Sequence, residues 1–229
     1  MTRLACCLTI LATILAAAEE PESFWEDDTI WIEDSANGAL FLRFGVFGKH
    51  AEKSPGNLDR LPALNAWTPQ EKGRSAPLVL KKAGDHLLIE GADRKTPVQA
   101  EDLSITARHD EDGGYLGRKP VLYARWQPPG GNPSAPGLTL DVVPAAAPGE
   151  FKVNFHGQPL AGAKCRGLGP SGFTAVDLVT NSQGSARFTP GPAGLYQVAC
   201  THVEPGPFFV LGKSYKGTRH RSTLTWRQP

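Results

Sequence analysis

Histidine is the side chain here with the widest chemical reach, because imidazole both binds transition metals and titrates near neutrality. The sequence holds six, and His202 and His220 stand out. One closes an alternating apolar run and the other opens the next. His202 shares parity with Val198 and Cys200, and His220 with Leu224 and Trp226, so both point the way of residues expected inside. If the two strands pair antiparallel, the rings meet at one end of a β-sandwich. A carboxylate or a further imidazole would then complete a site for Ni, Co, Fe, Cu or Zn. Glu204 and His50 are the candidate third donors, His50 only if the first half of the chain folds back onto that end. Two other readings of the pair stay open: half-buried polar caps bonded to loop backbone, and acid–base chemistry.

The remaining histidines sit among turn residues: His86 after Gly84-Asp85, His109 before Asp110-Glu111-Asp112, and His156 before Gly157. The acidic run lacks the further oxygen donors of a calcium loop and reads as a hairpin tip. Gly169-Pro170-Ser171-Gly172 does not fulfil the G-x-S-x-G nucleophile pattern, and no phosphate-cradling loop is present. The chain is therefore expected not to be an enzyme. Trp25, Trp31, Trp67 and Trp126 could stack on sugar rings, with a place in the core of a sandwich as the competing reading. A formal net charge of +1 with scattered basic residues argues against nucleic acid as a partner. Arg219, Arg221 and Arg227 read as the solvated face of a strand.

The elements that must position these residues are strands. With 25 Gly, 20 Pro and no long apolar pattern of period 3.6, helices are not expected. Short alternating runs recur instead, at 29–33, 39–47, 78–81, 86–90, 103–107, 121–126 and 138–143, then from 150 at Phe151, Val153 and Phe155, around Ala163 and Cys165, and at 175–180, 185–189, 195–202 and 219–226. Leu40, Leu42, Phe44 and Val46 give the clearest single face. Asn37-Gly38, Gly113-Gly114, the 128–137 stretch, 181–184 and 190–194 supply turns, and 49–75 reads as an ordered loop crossing a sandwich. The expected organisation is all-β: a signal peptide over 1–18, a β-sandwich domain over 19–143, a linker over 144–149 and a second, immunoglobulin-like or prealbumin-like sandwich over 150–229.

The signal reading rests on Arg3, the apolar run from Leu4 to Leu15 and Ala16-Ala17-Ala18. About 15 apolar residues fall short of the roughly 20 that cross a bilayer as a helix, so no membrane span is expected after cleavage. Cys6-Cys7 precede most of that run, the wrong place for lipid attachment. Cys165 and Cys200 then remain, and in the periplasmic or secreted location expected they form a disulfide. Their parity agrees, Cys200 with Tyr196 and Val198, Cys165 with Ala163. Buried free thiols, or thiolate ligands without C-x-x-C spacing, are the alternatives.

Gly157-Gln158-Pro159-Leu160-Ala161-Gly162-Ala163 resembles the "G-[KQ]-P-L-x-G-A" opening of bacterial prealbumin-like and carboxypeptidase-regulatory-like modules. Thr180-Asn181-Ser182-Gln183-Gly184 stands at their "T-[DN]-x-x-G" turn, and Gly194-Leu195-Tyr196 at their "G-x-Y" strand entry. Thr201-His202-Val203 and the closing His220–Trp226 stretch resemble a narrower family, secreted two-domain bacterial proteins of the domain-of-unknown-function type associated with nickel, cobalt or iron uptake. That resemblance covers 150–226 well. In the first half only Phe44-Gly45-Val46-Phe47-Gly48-Lys49-His50 is loosely similar. Members of the family commonly begin the mature chain with histidines ahead of a Phe/Trp strand, where this sequence reads Glu22-Ser23-Phe24-Trp25. The resemblance implies a non-catalytic periplasmic or secreted protein that binds or delivers a transition-metal ion, with a metal-uptake transporter or another envelope protein as partner. A cell-envelope module recognising a protein or glycan is the alternative.

Overall fold

A computed structural model describes residues 28–71, 73–105, 116–147, 149–170, 175–210 and 212–229. The expected signal segment, Trp25 and the acidic run 110–112 lie outside the described residues. The described residues form eighteen strands. In chain order they are β1 (Thr29–Asp34), β2 (Ala39–Val46), β3 (His50–Ala51), β4 (Asn65–Trp67), β5 (Pro69–Gln70), β6 (Gly73–Arg74), β7 (Val79–Lys82), β8 (Leu87–Asp93), β9 (Val98–Asp102), β10 (Leu116–Gln127), β11 (Leu140–Pro144), β12 (Glu150–Phe155), β13 (Gln158–Pro159), β14 (Lys164–Leu168), β15 (Ala175–Val179), β16 (Ser185–Arg187), β17 (Gly194–Val210) and β18 (Lys213–Gln228). A 3-10 turn, Asn57–Arg60, lies between β3 and β4.

All strands but β5 and β6, which pair only with each other, form three layers. A central seven-stranded sheet runs β15-β14-β17-β18-β10-β9-β4; one outer sheet holds β1, β2, β3, β7 and β8, and the other β11, β12, β13 and β16. Alternation along β10 shows why both faces of the central sheet are covered. Leu122, Ala124 and Trp126 enter a core with Ile30, Ile32, Leu40, Leu42 and Phe44 of the first outer sheet. Val121 and Tyr123 enter the other core, with Leu140, Val142, Phe151, Val153, Val198 and Leu224. A strand covered on both faces loses its polar side, so β10 is buried at nearly every position from 119 to 127.

The expected all-β sandwich architecture is present, but its parts are not divided where the sequence suggested. The expected linker is no spacer: Pro144 ends β11, Glu150 begins its antiparallel partner β12, and Ala145 N–H bonds the Glu150 carbonyl at 2.8 Å. Gly149 adopts φ 75°, and a Cβ there would come within 2.1 Å of the Phe188 carbonyl oxygen, so the tight crossing requires glycine. The halves also share the central sheet, because β18 pairs parallel with β10, Val121 opposite His220 and Arg125 opposite Leu224. On the first outer sheet's side of β18, the Thr223 hydroxyl donates to the Ile30 carbonyl at 2.8 Å, and Thr225 bonds the Ile32 carbonyl likewise.

Other expectations shift locally. The 49–75 segment contributes β4 to the edge of the central sheet rather than crossing as a loop. The strand expected at 103–107 is instead β9, five residues earlier, and Asp102 ends it by accepting the Ser104 and Ile105 amides at 2.7 and 2.9 Å. Cys165 and Cys200 lie directly opposite in β14 and β17 and form a disulfide with a Cα–Cα distance of 4.1 Å. No helix among the described residues is long and apolar enough to cross a membrane.

Candidate functional site

The strands that carry His202 and His220 run well past them. β17 and β18 continue as a hairpin arm to Val210 and Lys213, so the two histidines face each other in mid-ladder rather than at a strand end. They are direct cross-strand partners with ring centroids 6.5 Å apart. The expected pairing of these residues is therefore present, and its surroundings decide what it can do. His220 is buried. Its Nδ1 lies 3.1 Å from the Tyr123 hydroxyl and its Nε2 3.3 Å from Glu204 Oε2. Phe155 packs beside both rings, with its centroid 4.4 Å from His202, 5.1 Å from His220 and 4.3 Å from His156.

Donor and acceptor roles follow. A carboxylate only accepts, so His220 Nε2 carries the proton toward Glu204, and Nδ1 accepts from the Tyr123 hydroxyl. Burial pushes that hydroxyl up to about 12, and the Thr139 side chain bonds it from behind. Burial is also the main force holding His220 below the ordinary histidine range, against the opposing pull of Glu204 and with added repulsion from His202 and His156. His202 is lowered in the same way, first by burial, with Glu204 opposing and His156 adding to it. Both rings are thus kept neutral at pH 7. Neutral imidazole is the form that binds metal, yet both nitrogens of His220 are already engaged.

His50 is not part of this group. β3 belongs to the first outer sheet, whose neighbouring residue Asp28 offers its carbonyl to Arg221 at 3.3 Å. Arg221 alternates with His220 along β18, which puts His50 and His220 on opposite faces of the central sheet. The physical reason is the short β2–β3 return, fixed by Glu52 N–H to the Phe44 carbonyl at 2.7 Å. Gly45, at φ 134°, allows it: a Cβ there would meet the His50 carbonyl oxygen at 2.5 Å.

That return brings His50 between two carboxylates. Its Nε2 lies 3.8 Å from Asp28 Oδ1 and 3.6 Å from Glu52 Oε1. Asp28, His50 and Glu52 are the one set of three metal-type donors among the described residues whose ligand atoms all lie within 4.8 Å of one another. Asn57 Nδ2 donates to the other Glu52 oxygen at 3.0 Å, fixing the carboxylate's orientation. His50 itself is exposed, its side chain 54% accessible. The sequence reading missed Asp28 and Glu52. Glu52 had a signal, since residues two apart on a strand share a face; Asp28 had none, because only the pairing of β1 with β2 delivers it.

The other expected positions resolve simply. His86 bonds Asp85 at 2.9 Å and packs on Phe41, while His156 is an exposed turn residue at φ 49°. Trp31, Trp67 and Trp126 are buried and offer no face to a sugar. Comparison of the chain with protein-family models, with curated proteins and with solved structures finds no match in any of the three.

Proposed function

We propose that this is an exported, non-catalytic protein that captures or delivers a transition-metal ion, and that the ion sits among Asp28, His50 and Glu52 rather than between His202 and His220. The observation that carries the reading is the placement of His50 Nε2 3.8 and 3.6 Å from two carboxylate oxygens. One imidazole and two carboxylates suit Ni, Co, Fe, Cu or Zn better than Ca or Mg, which take oxygen ligands almost exclusively. Asn57 acts as the outer support that orients a ligating carboxylate. Three donors at an exposed edge leave coordination positions for water or for a donor from a partner, which fits handing an ion to an uptake transporter or another envelope protein. The Cys165–Cys200 bond supports an oxidising, periplasmic or secreted location.

The experiment is metal titration of the purified protein with Ni, Co, Cu and Zn, read as stoichiometry and affinity. One ion per chain is expected, lost in His50→Ala and kept in the His202→Ala/His220→Ala double variant. No uptake of any of the four ions, or unchanged uptake in His50→Ala, overturns the reading.

A further inference from the structure

We infer that the cavity at the Trp226 end of β18 is a saccharide-binding site. It encloses about 490 Å³ between the 128–133 segment, the 144–147 turn and the last residues of β18. That volume lies within the range of small-ligand clefts. It shares no residue with the metal reading and stands or falls separately.

The lining selects the ligand class. Pro128, Pro129, Pro133 and Pro144 form much of the wall, and proline presents a carbonyl but no N–H. Acceptors therefore outnumber backbone donors. Gln127 sharpens the imbalance: its amide nitrogen donates to the Pro128 and Gly131 carbonyls at 3.4 and 2.8 Å, while its buried Oε1 has no partner. A ligand that fits must bring donors, and the hydroxyls of a sugar do so from every edge. A hydroxyl rotates to aim its proton at whichever acceptor is near, whereas a peptide's N–H groups are fixed in direction by the chain, so a sugar is the better match.

The aromatic element completes the match. Trp226 is half-buried and lines the cavity, while Tyr196, outside the lining, stacks on it at 5.7 Å and 21°. Phe188 meets it edge-on at 6.2 Å. The indole is thus a fixed platform, and the apolar face of a pyranose ring is what such a surface takes up beside hydrogen-bonding groups. The opposite wall is anchored at its end and middle: Arg125, paired with Asp141 at 2.6 Å, ties down Ser134 and Ala135 just past Pro133, and the Gln127 amide holds the Gly131 carbonyl. Anchoring of both walls lowers the ordering cost of binding.

The test uses the full chain, with maltose, cellobiose and N,N′-diacetylchitobiose as probes, followed by calorimetry and by NMR of side-chain N–H signals. At least one probe is expected to bind saturably at millimolar concentration, shifting the Trp226 indole and Gln127 amide signals. Trp226→Ala should weaken that binding by about tenfold or more. Ala146→Trp, on the exposed turn where the fold has no stake in the side chain, should block the cavity and abolish it. Absence of binding for all three probes overturns the proposal, as does binding that both variants leave unchanged.

Discussion

The Tyr123 hydroxyl lies 3.1 Å from Nδ1 of His220, joining a strand from the first half of the chain to one from the end of the second. Both residues are buried, so neither can exchange this bond for one to water. Tyr123→Phe removes the donor and leaves the imidazole nitrogen unsatisfied. The expected cost is about 1–3 kcal/mol of stability, read as a lower midpoint in urea unfolding. An unchanged midpoint would show that the bond contributes nothing net.

The lowered pKa of His220 and His202 fixes a pH response. Both take up a proton less readily when folded than when unfolded, where histidine sits near 6.5. The unfolded chain therefore binds more protons in the interval below that value, and stability rises with pH across it. Stability is fully present above about pH 7 and is lost on acidification from about 6.5 downward, with a slope of at most about 1.4 kcal/mol per pH unit for each proton. Thermal unfolding between pH 7.5 and 5 checks it, and His220→Gln should flatten the slope. Asp59, held down to about 2 mainly by its bond to Lys82, titrates too low to mimic this effect.

Reducing the Cys165–Cys200 bond frees a loop of 35 residues in the unfolded chain. The chain-entropy model gives about 3–4 kcal/mol lost. The Cys165→Ala/Cys200→Ala variant should unfold at correspondingly lower denaturant, and added reductant should shift the parent protein to match it.

Parallel pairing of β10 with β18, and the Thr223 and Thr225 bonds to β1, bind the two halves into one cooperative unit. A single unfolding transition is expected by calorimetry, and a fragment spanning 28–144 should not fold alone. Two separated transitions, or a dispersed NMR spectrum from the fragment, would mean the halves are independent.

What could be read from the sequence was the part governed by period-2 alternation. Parity turned Cys165, Cys200, His202 and His220 toward the core side of their strands, because these strands have one plainly apolar face. β9 escaped for the opposite reason: Gln99, Glu101 and Asp102 are buried along with Val98 and Ala100, so no alternation marks the strand. The parallel β10–β18 pair escaped because nothing local records which distant edge a strand will meet. His50 shows both sides. It was picked out as a candidate donor but set with His220, whereas strand order in the outer sheet places it beside Asp28 and Glu52.

The place of β18 also governs the timing of folding. A chain emerging N-terminus first makes β10 roughly a hundred residues before the strand that closes its open edge, and distant pairing of this kind is slow. Until that last segment arrives, the apolar face of β1 and β2 has only part of its cover. The first half would remain unsettled while the second is made, a state exposed to aggregation if the wait is prolonged.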